Sequence, residues 1–170
     1  TVVRLKNCSW RISAEVVAAI DDQGVVACQG GNMSGWSMWL DGGRPRFTYN
    51  CFGHDVTTVT GPVLAPGTHL VEALFDYDGG FGQGGDLVLV VDESAVAHAR
   101  LERTVPIVFS ISGETFDVGT DTGSPVGPYP SDFVCSANIV GVTLTRLDEP
   151  GDAVRVAELE GLFRAGLSTQ

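Results

Sequence analysis

Two loops concentrate the side chains with the most obvious chemistry. The first runs Phe75-Asp76-Tyr77-Asp78-Gly79-Gly80-Phe81-Gly82-Gln83-Gly84-Gly85-Asp86, and the second runs from Asp117-Val118-Gly119-Thr120-Asp121 through Thr122-Gly123-Ser124-Pro125-Val126 to Pro130. Hard divalent cations collect several oxygens from carboxylates and backbone carbonyls. Asp76, Asp78, Asp117 and Asp121 are therefore candidate ligands for calcium, the one cofactor the sequence suggests. Asp76-x-Asp78-Gly79 has the start of a calcium loop, but the later Glu and the flanking helices of an EF-hand are missing. The competing role for these Asp side chains is to cap turns.

Other arrangements are poorer. Paired carboxylates hydrolyse glycosides when they face each other across the scissile bond. Glu72 and Asp76 share a strand face, but apolar Leu74 stands between them. Nucleophilic hydrolysis needs a Ser or Cys beside an oriented base. His69 and His98 fall within alternating strand patterns, whereas His54, in Cys51-Phe52-Gly53-His54-Asp55, sits in a polar turn that could reach a cleft. No G-x-S-x-G elbow or Walker loop occurs, and no dinucleotide fingerprint opens a helix. The glycines from Gly79 to Gly85 lie between two strand patterns, where a hairpin loop is expected and a phosphate cradle is not.

Aromatic side chains beside polar loops would suit a saccharide. In Met33-Ser34-Gly35-Trp36-Ser37-Met38-Trp39-Leu40, strand parity puts Trp36 and Met38 on one face and Ser37 and Trp39 on the other. Buried roles for both tryptophans are the commoner outcome. The candidate set for a ligand or partner surface is Trp36, Tyr49, His54, Tyr77, Thr122 and Ser124. The sequons Asn7-Cys8-Ser9 and Asn32-Met33-Ser34 matter only in a eukaryotic secreted setting.

These residues must be positioned by strands. Period-two alternation marks Trp10 to Val16, His69 to Phe75 and Val140 to Leu144. Strand-like stretches also cover Gly24 to Cys28, Gly35 to Leu40, Arg46 to Asn50, Leu87 to Val91 and Ile107 to Ile111. Turn signals such as Asp41-Gly42-Gly43 and Leu64-Ala65-Pro66-Gly67 separate them. Short strands with such punctuation read as a two-sheet sandwich or a barrel. The tail differs: Val156, Leu159, Leu162 and Phe163 recur at helical spacing after Glu149-Pro150-Gly151. The expected organisation is a β-sandwich over 1–150 and a short amphipathic helix within 151–170 that docks on its own domain or on another.

At 170 residues with 44% hydrophobic side chains, the chain can bury a full core. Its net charge of -11 and lack of a basic run argue against nucleic acid and against an acidic membrane surface. No apolar stretch approaches a membrane span. The start, Thr1-Val2-Val3-Arg4-Leu5-Lys6, lacks the plan of a signal peptide, and with no initial Met the expectation is a piece of a longer protein. Cys8, Cys28, Cys51 and Cys135 form no C-x-x-C pair; two disulfides are formally open, and free thiols packed as small hydrophobes are the blander reading.

Several runs stand in a recognisable order. They are Gln29-Gly30-Gly31, Gly35 to Leu40, Arg44-Pro45-Arg46-Phe47-Thr48-Tyr49-Asn50, Phe75 to Gly80 with Gly82 to Gly85, Glu102-Arg103-Thr104-Val105-Pro106, and Asp117 to Val126. In these the chain, from about Asn7 to Leu147, resembles the C-terminal region of bacterial arylsulfatases, with Cys28, Cys51 and Cys135 and a short loop after Val126 as departures. The resemblance implies an all-β, two-sheet antiparallel jelly-roll sandwich of the concanavalin A-like (LamG-like) kind. It also implies a non-catalytic accessory role beside a sulfatase catalytic domain, in a bacterial, cytoplasmic protein. Such enzymes use a formylglycine made from a C-x-P-S-R motif and a divalent metal. Neither Cys8-Ser9-Trp10-Arg11 nor Cys135-Ser136-Ala137-Asn138 has that motif, so no catalytic residue carries over. A lectin-like carbohydrate-binding module is the alternative, and an independent hydrolase using Glu72, Asp76 or His54 is a third.

Overall fold

The computed structural model describes residues 5–106 and 116–147. The amphipathic tail expected within 151–170 and the strand expected at 107–111 lie outside the described residues. Ten strands are described. They are β1 (Trp10–Ala18), β2 (Gly24–Gly31), β3 (Ser34–Asp41), β4 (Arg44–Cys51), β5 (Asp55–Thr60), β6 (Gly67–Tyr77), β7 (Gln83–Val91), β8 (Ser94–Arg103), β9 (Phe116–Val118) and β10 (Asn138–Arg146). They build two five-stranded sheets, in the orders β10-β1-β6-β7-β8 and β5-β4-β3-β2-β9. Every strand pairing within them is antiparallel.

Alternation explains the first sheet. Trp10, Ile12, Ala14 and Val16 of β1 are buried, while Glu15 and Val17 between them are exposed. On β6, Val71, Ala73 and Phe75 join the same core. The second sheet sends in Trp36, Met38, Leu40, Phe47 and Tyr49. The two inner faces meet through aromatic rings: Trp10 lies 5.7 Å from Phe47 and 5.2 Å from Phe75, and Phe47 stacks on Trp36 at 6.0 Å. Each such pair adds about 0.5–1.5 kcal/mol beyond the area it buries.

Each outer face is also covered in part. On the second sheet, Val25, Cys28 and Trp39 pack under Val126, Tyr129 and Phe133, so the chain after β9 lies across that face. Trp39 donates its indole N–H to Thr48 Oγ1 (3.0 Å), which lies 2.8 Å from Thr58 Oγ1. On the first sheet, Leu74, Val88, Val90 and Leu147 form a buried patch. Glu72 is buried there too, accepting from Ser13 Oγ (2.8 Å) with the Arg11 guanidinium at 3.8 Å. The four cysteines are free. No helix among the described residues is long and apolar enough to cross a membrane.

Three strands have no counterpart in the alternation. β5 (DVTTVT) is polar and half-buried, β8 (SAVAHARLER) is built of small and charged side chains, and β9 has three residues. All three are sheet edges, where one row of backbone groups faces outward and hydrophobic content is low.

Candidate functional site

One end of the sandwich gathers the turns β2–β3 (32–33), β4–β5 (52–54) and β6–β7 (78–82) together with the loop after β9. The two sheets are aligned at this end by Arg103, the last residue of β8, which pairs with Asp55, the first residue of β5. Val105 N–H also donates to Tyr49 Oη at 3.0 Å.

A buried amide ties these turns together. Asn50 Nδ2 donates to the carbonyls of Asn32 and Val126, both at 3.0 Å, and its Oδ1 accepts from Gly53 N–H at 2.8 Å. Ser124 completes the junction: its Oγ accepts from Asn32 N–H (2.9 Å) and donates to Asn32 Oδ1 (3.2 Å). Three loops that are distant in sequence are thus fixed in one surface.

That surface is unusually apolar for exposed turns. The three exposed phenylalanines among the described residues are Phe52, Phe81 and Phe116, at 47%, 65% and 41% exposure, and all lie at this end, with Met33 at 52%. Phe116 is placed there by register, since it pairs with Gln29 near the end of β2 and packs 6.1 Å from Trp36. Exposed His54, Asn32 and Ser124 supply polar groups at the same end. Strand order spreads the phenylalanines across this end, Phe52 and Phe116 towards opposite edges of the second sheet and Phe81 on a turn of the first; exposed apolar side chains beside polar groups are the features of an interaction surface.

The second constellation flanks it. Register sets Cys28 on β2 opposite Asp117 on β9. Asp121 follows one turn later and is 1% exposed. Cys28 Sγ and one carboxylate oxygen from each Asp lie within 4.8 Å of one another. Asp117 Oδ2 accepts from Thr122 N–H (3.0 Å) and Thr122 Oγ1 (2.8 Å). Asp121 Oδ2 accepts from Val126 N–H (3.1 Å) and the Tyr129 hydroxyl (2.8 Å), which lies 2.9 Å from Ser37 Oγ. Burial, with the charges of Asp121 and Asp117, pushes the Cys28 thiol far above its usual range. Tyr129 is pushed up by burial as well.

The structure divides the residues singled out from sequence. His54 and Ser124 lie at the loop end, while Thr122 sits beside Asp117, opposite Cys28 on β2. Trp36 and Tyr49 belong to the inner core, at 0% and 1% exposure, because each shares strand parity with Met38 or Phe47; neither can stack on a ligand. Trp39, on the opposite face, is buried too, under the chain after β9. Tyr77 braces the β6–β7 hairpin, its hydroxyl donating to Gly80 O (2.8 Å) and accepting from Gln83 N–H (3.2 Å). The four candidate calcium ligands do not converge. Asp117 and Asp121 are together on the second sheet, while Asp76 and Asp78 lie on the first. Asp78 is held by a bidentate contact with Arg100 that keeps its carboxyl below the usual range. Asp76 is raised by burial and by neighbouring Asp86 and Asp78. Glu72 and Asp76 are four residues apart on β6, about 13 Å along the strand, too far for paired-carboxylate hydrolysis at ~5–9.5 Å.

Sequence reasoning missed Met33, Phe52, Phe81 and Phe116 as surface groups and Cys28 as a partner of the carboxylates. The signal for two of them was local: Phe52 and Phe81 stand within Gly-containing turns, where an apolar side chain has no core to enter.

No family model matches the chain, and no curated protein sequence matches it. Solved structures do. A Ruminococcus gnavus sialidase carbohydrate-binding module, CBM40, bound to α2,3-sialyllactose matches at TM-score 0.56 and 11% identity, over 89% of this chain and 83% of that one. Domains LG4-5 of the mouse laminin α1 chain match at TM-score 0.53 and 15% identity, over 85% of this chain and 39% of that one. The binding domain of botulinum neurotoxin DC, in complex with SialylT, matches at TM-score 0.53 and 12% identity, over 90% of this chain and 36% of that one. At these identities the likeness is one of fold, and it makes the expected concanavalin A-like jelly-roll sandwich the architecture of this chain.

Proposed function

We propose that this chain is a carbohydrate-binding module whose ligand seat is the loop end formed by the turns 32–33, 52–54 and 78–82 and the segment 124–126. The observation that carries this reading is that the exposed phenylalanines Phe52, Phe81 and Phe116 all stand on turns or strand ends at one end, where Asn32, His54 and Ser124 are exposed too. A pyranose presents an apolar C–H face to an aromatic ring and hydroxyls to surrounding donors and acceptors, so such a surface fits it. The likeness to the CBM40 sandwich, over 89% of this chain and 83% of that one, adds fold-level support.

The charge favours neutral saccharides. The net charge is -11, and Arg103 at this end is already paired with Asp55. Sialylated or sulfated glycans would meet repulsion. A glycan array followed by calorimetric titration with lactose and sialyllactose tests the reading. Binding to neutral glycans is expected. Binding of sialyllactose alone would overturn the neutral preference, and no binding across the array would overturn the module reading.

An accessory domain beside a sulfatase catalytic domain is the second reading. It is favoured by the sequence runs at Phe75–Gly85 and Glu102–Pro106, which pack on each other through Thr104, donating from Oγ1 to Gln83 O at 2.7 Å. Aryl-sulfate hydrolysis by an adjoining catalytic domain, assayed with and without this chain, tests it; equal activity and equal heat stability would dismiss it.

A further inference from the structure

We propose that Cys28, Asp117 and Asp121 form a binding site for a thiophilic divalent cation, zinc foremost. The site is independent of what the loop end binds. Three observations carry it. The first is convergence: a sulfur and two carboxylate oxygens from β2, β9 and the following loop lie within 4.8 Å of one another. Tetrahedral zinc, with bonds of ~2.3 Å to sulfur and ~2.0 Å to oxygen, needs ligand separations of roughly 3.3–3.5 Å. A contraction of at most about 1.5 Å in any one separation completes the geometry.

The second is an orphaned acceptor. Asp121 is only 1% exposed; its Oδ2 is engaged by Val126 N–H and the Tyr129 hydroxyl, whereas its Oδ1 is buried with no N–H or O–H donor, only the weak Cys28 thiol beside the carboxylate. Buried carboxylate oxygens are rarely left so, because the loss of hydration goes uncompensated. A cation bound at Oδ1 supplies the missing partner. The third is orientation. Each carboxylate is fixed by donors on one oxygen, Asp117 by Thr122 and Asp121 by Tyr129, which leaves the other oxygen directed to a ligand role. This is the outer-shell support that metal ligands require. Thr120 O, 3.7 Å from Cys28 Sγ, is placed to serve as a fourth ligand.

The sulfur decides the metal. Calcium takes oxygens, whereas thiolate with carboxylate selects zinc or another borderline cation. The calcium expected at Asp117 and Asp121 is thereby replaced by a softer ion at the same carboxylates. Its role is structural: it would clamp the loop carrying Thr122 and Ser124 to β2.

The test uses the full chain, stripped with a chelator and titrated calorimetrically with zinc chloride and, separately, with calcium chloride. Cobalt(II) serves as the spectroscopic probe. The expected result is one zinc per chain, a raised Tm, and a thiolate-to-cobalt charge-transfer band in the near ultraviolet. Cys28→Ser should abolish that band and the zinc binding. Asp117→Asn, at a half-buried position that leaves the core intact, should also abolish tight binding. Calcium binding that survives Cys28→Ser would overturn the proposal, as would zinc binding that neither variant alters. Absence of zinc binding to the unaltered chain would overturn it too, leaving the thiol and carboxylate as a simple hydrogen-bonded pair.

Discussion

Replacing Asn50 should loosen the whole loop end at once. Its amide makes three hydrogen bonds, to Asn32 O, Val126 O and Gly53 N–H, and the side chain is 3% exposed. A neutral intramolecular bond contributes ~0.5–1.5 kcal/mol net, and a buried group left without its partner costs more. Gly53 and Asn32 are exposed and can be rehydrated after Asn50→Ala, but Val126 is buried and its carbonyl cannot. The expected loss is about 3 kcal/mol. For a chain of this size that corresponds to a fall in Tm of roughly 6–12 °C. Urea unfolding followed by circular dichroism reads the loss as a lower midpoint at unchanged slope. Asn50→Asp separates hydrogen bonding from volume. It keeps the acceptor for Gly53 N–H but faces two carbonyls with a lone pair where two N–H groups stood. It should cost at least as much as the alanine at neutral pH, and part of the loss should return in acid as the new carboxyl regains a proton. An alanine variant within about 1 kcal/mol of the parent, or a neutral aspartate variant, would refute the claim that this amide holds the turns together.

Phe52→Ala should weaken saccharide binding. A sugar covering half of the 47% exposed part of a ring of roughly 200 Å² removes about 45 Å² from water, or ~1 kcal/mol and about fivefold in Kd. Ile20→Ala, at the opposite end of β2, is the control and should leave titration calorimetry unchanged. His69 places Nδ1 2.6 Å from Asp92 Oδ2 and Nε2 2.6 Å from Ala65 O, so both ring nitrogens face acceptors. The hydrogen bond with Asp92 raises the ring above its usual pKa of ~6.5. Its stabilisation is therefore complete below about pH 6.5 and is lost as pH rises through the folded-state value. His69→Gln should flatten the unfolding free energy against pH in that window. Gly24 has φ +108°, and an added Cβ would fall 2.0 Å from Val134 O. Gly24→Ala should cost more than about 2 kcal/mol in urea unfolding, because neither backbone can yield cheaply.

Much of the sandwich was legible because its central strands bury one clean face. Trp10, Ile12, Ala14 and Val16 alternate with exposed or half-exposed partners, and that alternation alone marks β1 in the sequence. The edges were harder. β5 presents threonines and β8 presents alanines, His98 and arginines, so their pairing rests on backbone bonds that leave little trace in composition. Of the binding candidates, parity sent Trp36 inward with Met38, but no local pattern announces that the chain after β9 folds back over Trp39. The acidic loops looked alike in sequence. Register alone separates them, placing Asp117 opposite Cys28 on one sheet and Asp76 opposite Asp86 on the other.

The partial cover on both outer faces bears on where recognition occurs. The outer side of the second sheet is partly covered by Val126, Tyr129 and Phe133, and the outer side of the first buries Leu74, Val88, Val90 and Glu72. Where that cover lies, a ligand meets loops before it meets strands. At the loop end the turns have Asn50 beneath them and the carboxylates of Asp117 and Asp121 beside them. Rigid support under exposed aromatic groups lowers the ordering cost of binding. This is the physical reason to expect that changes at buried Asn50, which no saccharide touches, will reduce affinity as well as stability, while changes at exposed Phe52 reduce affinity alone.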